Sequence, residues 1–289
     1  MNTELTRREL PRVAAIHDLS CFGRCALTVI LPTLSAMGIQ TVPIPTALLS
    51  THTGGFQDMY FLDLSDAMKD IVRHFTELGL HFDALYSGFL GSVGQIDIVE
   101  DIFNRFGGAQ TLTLVDPVMG DDGALYSTYT EELQNGMRRL CRRATVITPN
   151  LTEACFLAGI DYRDTTAMTA EQAKDFAVFL CQRLHESYGT PSIVLTGVPF
   201  DTEIGVCSYD ARTVQPHFYS RPRLPKSFPG TGDIFASVLL GRLLEGRPLS
   251  LAVESAADFT SGVIAASQNT TTPQRDGVLL ERALPALWK

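Results

Sequence analysis

Gly230-Thr231-Gly232-Asp233 stands directly before an apolar helical pattern in which Ile234, Phe235, Val238, Leu239 and Leu243 share one face. Glycines tolerate positive φ and leave main-chain amides bare. At a helix start those amides carry partial positive charge suited to an anion. Two chemistries fit the acid at this junction. Asp233 caps the helix it heads, a common use of aspartate, or it takes a proton from a hydroxyl while the turn's amides hold a phosphate.

Four earlier segments also place polar residues beside predicted strand ends: "STHTGG" (Ser50–Gly55), "SGFLGS" (Ser87–Ser92), "DPVMGDDG" (Asp116–Gly123) and "TPNLTEA" (Thr148–Ala154). Magnesium takes octahedral oxygen ligation and keeps several waters, so Asp116, Asp121 and Glu153 are sufficient candidates to hold it, some through water. The same acids also suit plainer tasks. Asp116 and Asp121 are turn formers around Pro117 and Gly120, and Glu153 is a helix-start charge behind Thr148-Pro149-Asn150. His52 is either a ligand donor or a brace for its loop, and Thr53 can hydrogen-bond a ring substituent. Phe89 is a stacking ring or one more core aromatic. Tyr126 follows the aspartate stretch in what reads as a surface loop, and Thr196 closes the strand "SIVLT".

In this order and spacing the five segments resemble the ribokinase-like superfamily, and within it the pyridoxal kinase branch of vitamin B6 salvage. The resemblance runs from about Val13 to Gln268. It implies that Asp233 is the catalytic base and that Gly230, Thr231 and Gly232 complete an anion hole. It implies that Asp116, Asp121, Tyr126, Thr148, Asn150 and Thr196 serve the nucleotide, with Glu153 and Asp116 at magnesium. Asp18, His52, Thr53, Phe89 and Asp233 would then meet the substrate ring. The expected activity is ATP-dependent phosphorylation of the 5′-hydroxymethyl group of pyridoxal, pyridoxine or pyridoxamine. The co-substrate would be ATP with Mg2+, possible company a monovalent cation, and the assembly a homodimer. A helix N-terminus and a nearby cation would keep Asp233 ionised, as a base requires.

One position departs from the pattern. Many pyridoxal kinases have a serine where "IHDLSCFGRCAL" carries Asp18, although Gly23 is kept. Hydroxymethylpyrimidine kinases are also acidic near this point, and Asp18 accepts hydrogen bonds from an amine or ring N–H more strongly than serine. A structural Asp18 capping the next helix is the other use. Hydroxymethylpyrimidine kinases typically read Gly-Thr-Gly-Cys where this chain has Asp233, which favours a vitamer. A hydroxymethylpyrimidine kinase and a non-catalytic vitamer-binding protein of the same fold are the alternatives. A dinucleotide oxidoreductase lacks its glycine fingerprint, because Gly91-Ser-Val-Gly94 is too short and too late.

These residues need a scaffold, and the 289-residue chain, 45% hydrophobic and 19% charged, reads as one α/β domain over 1–289. Short apolar runs at Val13–His17, Thr41–Thr46, Ala84–Ser87, Thr111–Val115, Val146–Thr148 and Ile193–Thr196 predict strands. Between them, Ser65–Leu78, Gln95–Phe106, Thr130–Cys141, Leu151–Ala158 and Ala170–His185 predict helices. That alternation predicts a three-layer, mostly parallel sheet flanked by helices. Ile204–Tyr219 reads as an antiparallel edge hairpin turning at Asp210-Ala211-Arg212, followed by helices from Asp233 to about Glu245 and Leu249–Ser267. The formal charge of −9 argues against nucleic acid as a partner. Arg138, Arg139, Arg142 and Arg143 read as a solvated helix end. The six cysteines have no metal-site spacing, and with neither a leader pattern nor an evident membrane span the expectation is cytoplasmic.

Overall fold

The computed structural model describes residues 9–126, 129–163, 165 and 168–288. Its strands are β1 (Arg12–Phe22), β2 (Gln40–Thr51), β3 (Phe61–Asp63), β4 (Ala84–Ser87), β5 (Leu112–Val115), β6 (Gly120–Asp121), β7 (Ala124–Leu125), β8 (Val146–Ile147), β9 (Ser192–Phe200), β10 (Glu203–Asp210) and β11 (Pro216–Pro222). The helices are α1 (Leu27–Ala36), α2 (Ser65–Glu77), α3 (Val93–Phe106), α4 (Glu131–Cys141), α5 (Leu151–Ala158), α6 (Ala170–Tyr188), α7 (Thr231–Leu244), α8 (Leu249–Ser267) and α9 (Leu280–Ala283).

Nine strands form one sheet in the order β11-β10-β9-β8-β5-β4-β1-β2-β3, while β6 and β7 make a separate small ribbon. The six central strands run parallel. Their residues are apolar on both faces because each face is covered: α2 to α6 shelter one core and α1, α7 and α8 the other. The predicted three-layer architecture is therefore present, with β10 and β11 antiparallel at one edge as expected. The opposite edge also carries an antiparallel strand, β3 on β2, which the sequence did not announce.

Three differences bear on the site. β1 continues five residues past His17, so Asp18 lies inside a strand instead of after it. α1 was not anticipated, because Pro32 sits within it and its N-cap, Ala26, offers no side-chain acceptor. α7 begins at Thr231, two residues before the expected start.

The four arginines of 138–143 are not simply solvated. Arg139 pairs with Asp97 and Glu100 of α3, and Arg138 donates to the Phe156 carbonyl at 2.7 Å. Arg142 lies over the Tyr188 ring, and Arg143 bonds Asn104. They tie α4 to its neighbours. By length and composition α8, 19 residues long, could cross a membrane. Leu249, Ala252, Val253, Ala256 and Val263 turn its apolar side onto the second core instead, so its composition is that of a packed helix.

Candidate active site

The parallel strands all point the same way, and their carboxyl ends deliver the candidate residues to one rim of the sheet. Thr53 follows β2, Asp18 lies in β1, Phe89 follows β4, Asp116 follows β5, Thr148 follows β8 and Thr196 sits in β9. Alternate neighbours in this row are spaced by one strand, so residues remote in sequence share one rim.

Gly230 is the N-cap of α7 at φ +77°, in the left-handed region. A Cβ there would sit on the Arg24 carbonyl oxygen and 2.9 Å from the Cys25 Cα, so only glycine lets the two loops meet. Asp233 occupies the first turn of α7 but does not cap it. Its Oδ2 accepts the Ala26 amide at 2.8 Å, which ties the head of α7 to the loop before α1. The capping use is therefore replaced by a tertiary bond.

Asp233 is also not in the ionised state the helix start seemed to favour. Desolvation, reinforced by Asp116 and Asp18, raises its pKa to about 8, against the lowering by the Ala26 hydrogen bond. Burial outweighs the helix start here, because the desolvation of the carboxyl is the largest influence and the two like charges of Asp116 and Asp18 add to it.

Asp116 is buried and accepts the Thr148 hydroxyl at 3.0 Å. Burial raises its pKa to about 7. Asn150 N-caps α5: its Oδ1 accepts the Glu153 amide at 2.9 Å, and Glu153 Oε2 accepts the Asn150 amide at 2.8 Å. This capping box gives the helix-start charge read at Glu153 a definite partner, Asn150. The other Glu153 oxygen accepts the Met119 amide at 3.0 Å, and Asn150 Nδ2 donates to the Gly120 carbonyl at 2.8 Å. One Glu153 oxygen thus holds the main chain of the Asp116–Gly123 segment while the other closes the capping box on Asn150. Burial, then Asp116, push its pKa well up.

Asp121 is exposed on β6 and its pKa is raised by partial burial. Tyr126 is 41% exposed, and burial followed by Glu153, Asp121 and Asp116 raises its pKa. Thr196 donates its amide to the Pro149 carbonyl at 2.9 Å and bridges to Asn150, which brings β9 beside the capping box.

On the other side of the rim, His52 is a brace. Its Nδ1 accepts the Gly54 amide at 3.1 Å, leaving Nε2 to donate to the Arg275 carbonyl at 2.7 Å. Its ring meets Phe56 edge-on at 5.0 Å, and a Cβ on Gly23, at φ +95°, would press on it at 2.5 Å. Thr53 is exposed, and Phe89 is half-buried with its carbonyl accepting the Thr46 hydroxyl at 3.5 Å. Asp18 is 6% exposed and accepts the Ser20 hydroxyl at 3.0 Å. It caps no helix, since α1 begins nine residues later with Ala26 as N-cap.

A hollow of about 360 Å³ between α6 and the β9–β10 turn, with Lys174 over Phe200 and Phe218, contains none of these residues. The converging polar groups, and not that hollow, mark the site.

Residues 16–277 match the model of a family described as phosphomethylpyrimidine kinase. The chain belongs to that family. The kinase resembles solved structures across nearly its whole length. A Bacteroides thetaiotaomicron protein provisionally described as a phosphomethylpyrimidine kinase, solved with pyridoxal, is 39% identical, with a TM-score of 0.89 and 96% of each chain covered. A pyridoxal kinase from Lactobacillus plantarum is 31% identical, with a TM-score of 0.86 and again 96% of each chain covered. A pyridoxine/pyridoxal/pyridoxamine kinase of Bordetella avium is 28% identical over 268 residues, 89% of this chain and 85% of that protein. As a kinase the protein takes ATP as co-substrate.

Several parts of this site gave no sequence signal. The Ala26 amide, Ser20, the buried Cys25 beside Asp233, and the Arg275 carbonyl act only through contacts up to 223 residues apart. Thr152 holds the Gly123 amide at 2.9 Å and was hidden inside the same "NLTE" that betrayed the helix start.

Proposed function

We propose that this kinase phosphorylates the 5′-hydroxymethyl group of a vitamin B6 vitamer at the expense of ATP. The observation that carries the proposal is the pairing of Asp233 with the bare amides of the Gly230 turn, on the same rim as Asp116 and the Glu153-held segment. The pyridoxal in the 39% identical relative supports a vitamer, as does aspartate in place of the cysteine typical of hydroxymethylpyrimidine kinases.

In this mechanism Asp233 takes the proton of the substrate hydroxyl as its oxygen attacks the γ-phosphorus. The new O–P bond forms, the bond to the β-phosphate oxygen breaks, and ADP leaves. The amides of Thr231, Gly232 and Asp233 meet charge growing on the transferring group, where fixed dipoles are most effective. Asp18, His52, Thr53 and Phe89 border the ring, with His52 acting by bracing its loop. Thr148, Asn150, Thr196 and Tyr126 border the nucleotide.

The oxygen-rich set suits Mg2+ arriving with the nucleotide better than a resident metal, because among the described residues no three His, Cys, Asp or Glu side chains form a cage. Asp116 and Asp121 would hold it, while Glu153 positions their segment. Bound there, Mg2+ would neutralise charge on the phosphate oxygens.

A substrate panel tests the proposal. Purified protein with Mg-ATP is offered the three vitamers, hydroxymethylpyrimidine and ribose, and phosphorylated product is measured. Turnover of at least one vitamer is expected. Turnover of the pyrimidine alone would overturn the vitamer reading and favour the second one, which the family description and the acid at position 18 keep in view.

A further inference from the structure

Asp233 is not the only carboxylate on this rim: Asp18, in β1, is buried there too. Asp18 lies where the β1–β2 register slips between His17 and Leu19, and it is 6% exposed. Its one side-chain hydrogen bond comes from Ser20, itself fully buried, at 3.0 Å. Among the described residues no lysine or arginine forms an ion pair with it. The His52 ring is already engaged by the Gly54 amide and the Arg275 carbonyl. Asp18 lies close enough to Asp233 to disfavour that carboxylate's charge, and the buried Cys25 feels both.

Burying a carboxylate with one hydroxyl and its own main-chain amide as partners is unfavourable, and a second carboxylate nearby makes it more so. A ligand that brings an ammonium or an amino N–H to Asp18 removes that penalty. An aldehyde oxygen, an acceptor only, leaves it in place.

We infer that Asp18 is a specificity-determining residue that selects, among hydroxymethyl-bearing heteroaromatic rings, those carrying an amino substituent over those carrying an aldehyde. This rests on the kinase reading above and names its substrate class. Charge-assisted hydrogen bonds of this kind discriminate by about tenfold to a hundredfold.

The test compares kcat/KM for pyridoxamine, pyridoxine, pyridoxal and hydroxymethylpyrimidine in the wild type, Asp18→Ser and Asp18→Asn. In the wild type, amine-bearing rings should exceed pyridoxal by about tenfold or more. In Asp18→Ser most of that ratio should vanish, through loss on the amine side. The pyridoxamine and pyrimidine arms show which amine the ring pocket fits.

Equal use of pyridoxal and pyridoxamine by the wild type would overturn the inference, as would a ratio unmoved by both variants. Equilibrium binding of pyridoxamine and pyridoxal without nucleotide provides an independent readout. Amine-selective binding that depends on Asp18, with no ring phosphorylated, would sink the kinase reading while sustaining the inference. Non-selective binding would sink the inference alone.

Discussion

Replacing Asp233 with asparagine should abolish turnover and at the same time stabilise the fold at neutral to alkaline pH. Burial raises the carboxyl's pKa to about 8 in the folded protein, against an ordinary value of 3.8. The raised value means that the folded state holds its proton more tightly. Its stabilising contribution is complete below the unfolded value and is lost as pH rises toward 8. Fully desolvated, a carboxyl so perturbed would lose about 6 kcal/mol of stability. Asp233 keeps part of its surface open to solvent, so screening reduces this to about 1–3 kcal/mol. Asparagine has no charge to desolvate and retains an oxygen for the Ala26 amide.

Urea unfolding of the ligand-free proteins measures the effect. Asp233→Asn should be the more stable by about 1–3 kcal/mol near pH 8, with the difference closing near pH 4. Its kcat should fall by about 10²-fold or more while vitamer binding persists. The wild-type kcat/KM should rise with pH through the upper neutral range, since that parameter reports the free enzyme. A variant less stable than wild type near pH 8, or one retaining a tenth of the activity, would refute this reasoning.

Gly230→Ala should both unfold the anion turn and weaken the protein. A left-handed φ of +77° and a collision with the Arg24 carbonyl together cost about 2–4 kcal/mol; a normal melting temperature with normal turnover would contradict that. Glu153→Ala should lower stability by about 2–4 kcal/mol, because the amides of Met119 and Asn150 lose their acceptors. Glu153→Gln should recover much of that loss, since one oxygen remains to accept. If Glu153 acted only on the metal, the alanine variant would melt normally and show merely a higher Mg2+ requirement.

The presence of the parallel strands and of α2 to α6 could be read directly, because apolar runs and helical periodicity are written in neighbouring residues, whereas the order of the strands in the sheet could not. The helix start at Asn150 and Glu153 was equally legible, since both residues lie within one turn. α1 was missed for a local reason: Pro32 interrupts its pattern and Ala26 supplies no cap. β3 was missed because three exposed residues, Phe61–Asp63, become a strand only through pairing with β2.

The chain on its own determined which chemical groups are present and which of them stand beside strand ends. Tertiary packing decided what each group is free to do. Asp233 reaches an amide 207 residues away, and His52 a carbonyl 223 residues away. No local rule encodes either pairing. Burial also reversed the protonation expected of Asp233, because desolvation depends on what surrounds a charge in space and not on its neighbours in the chain.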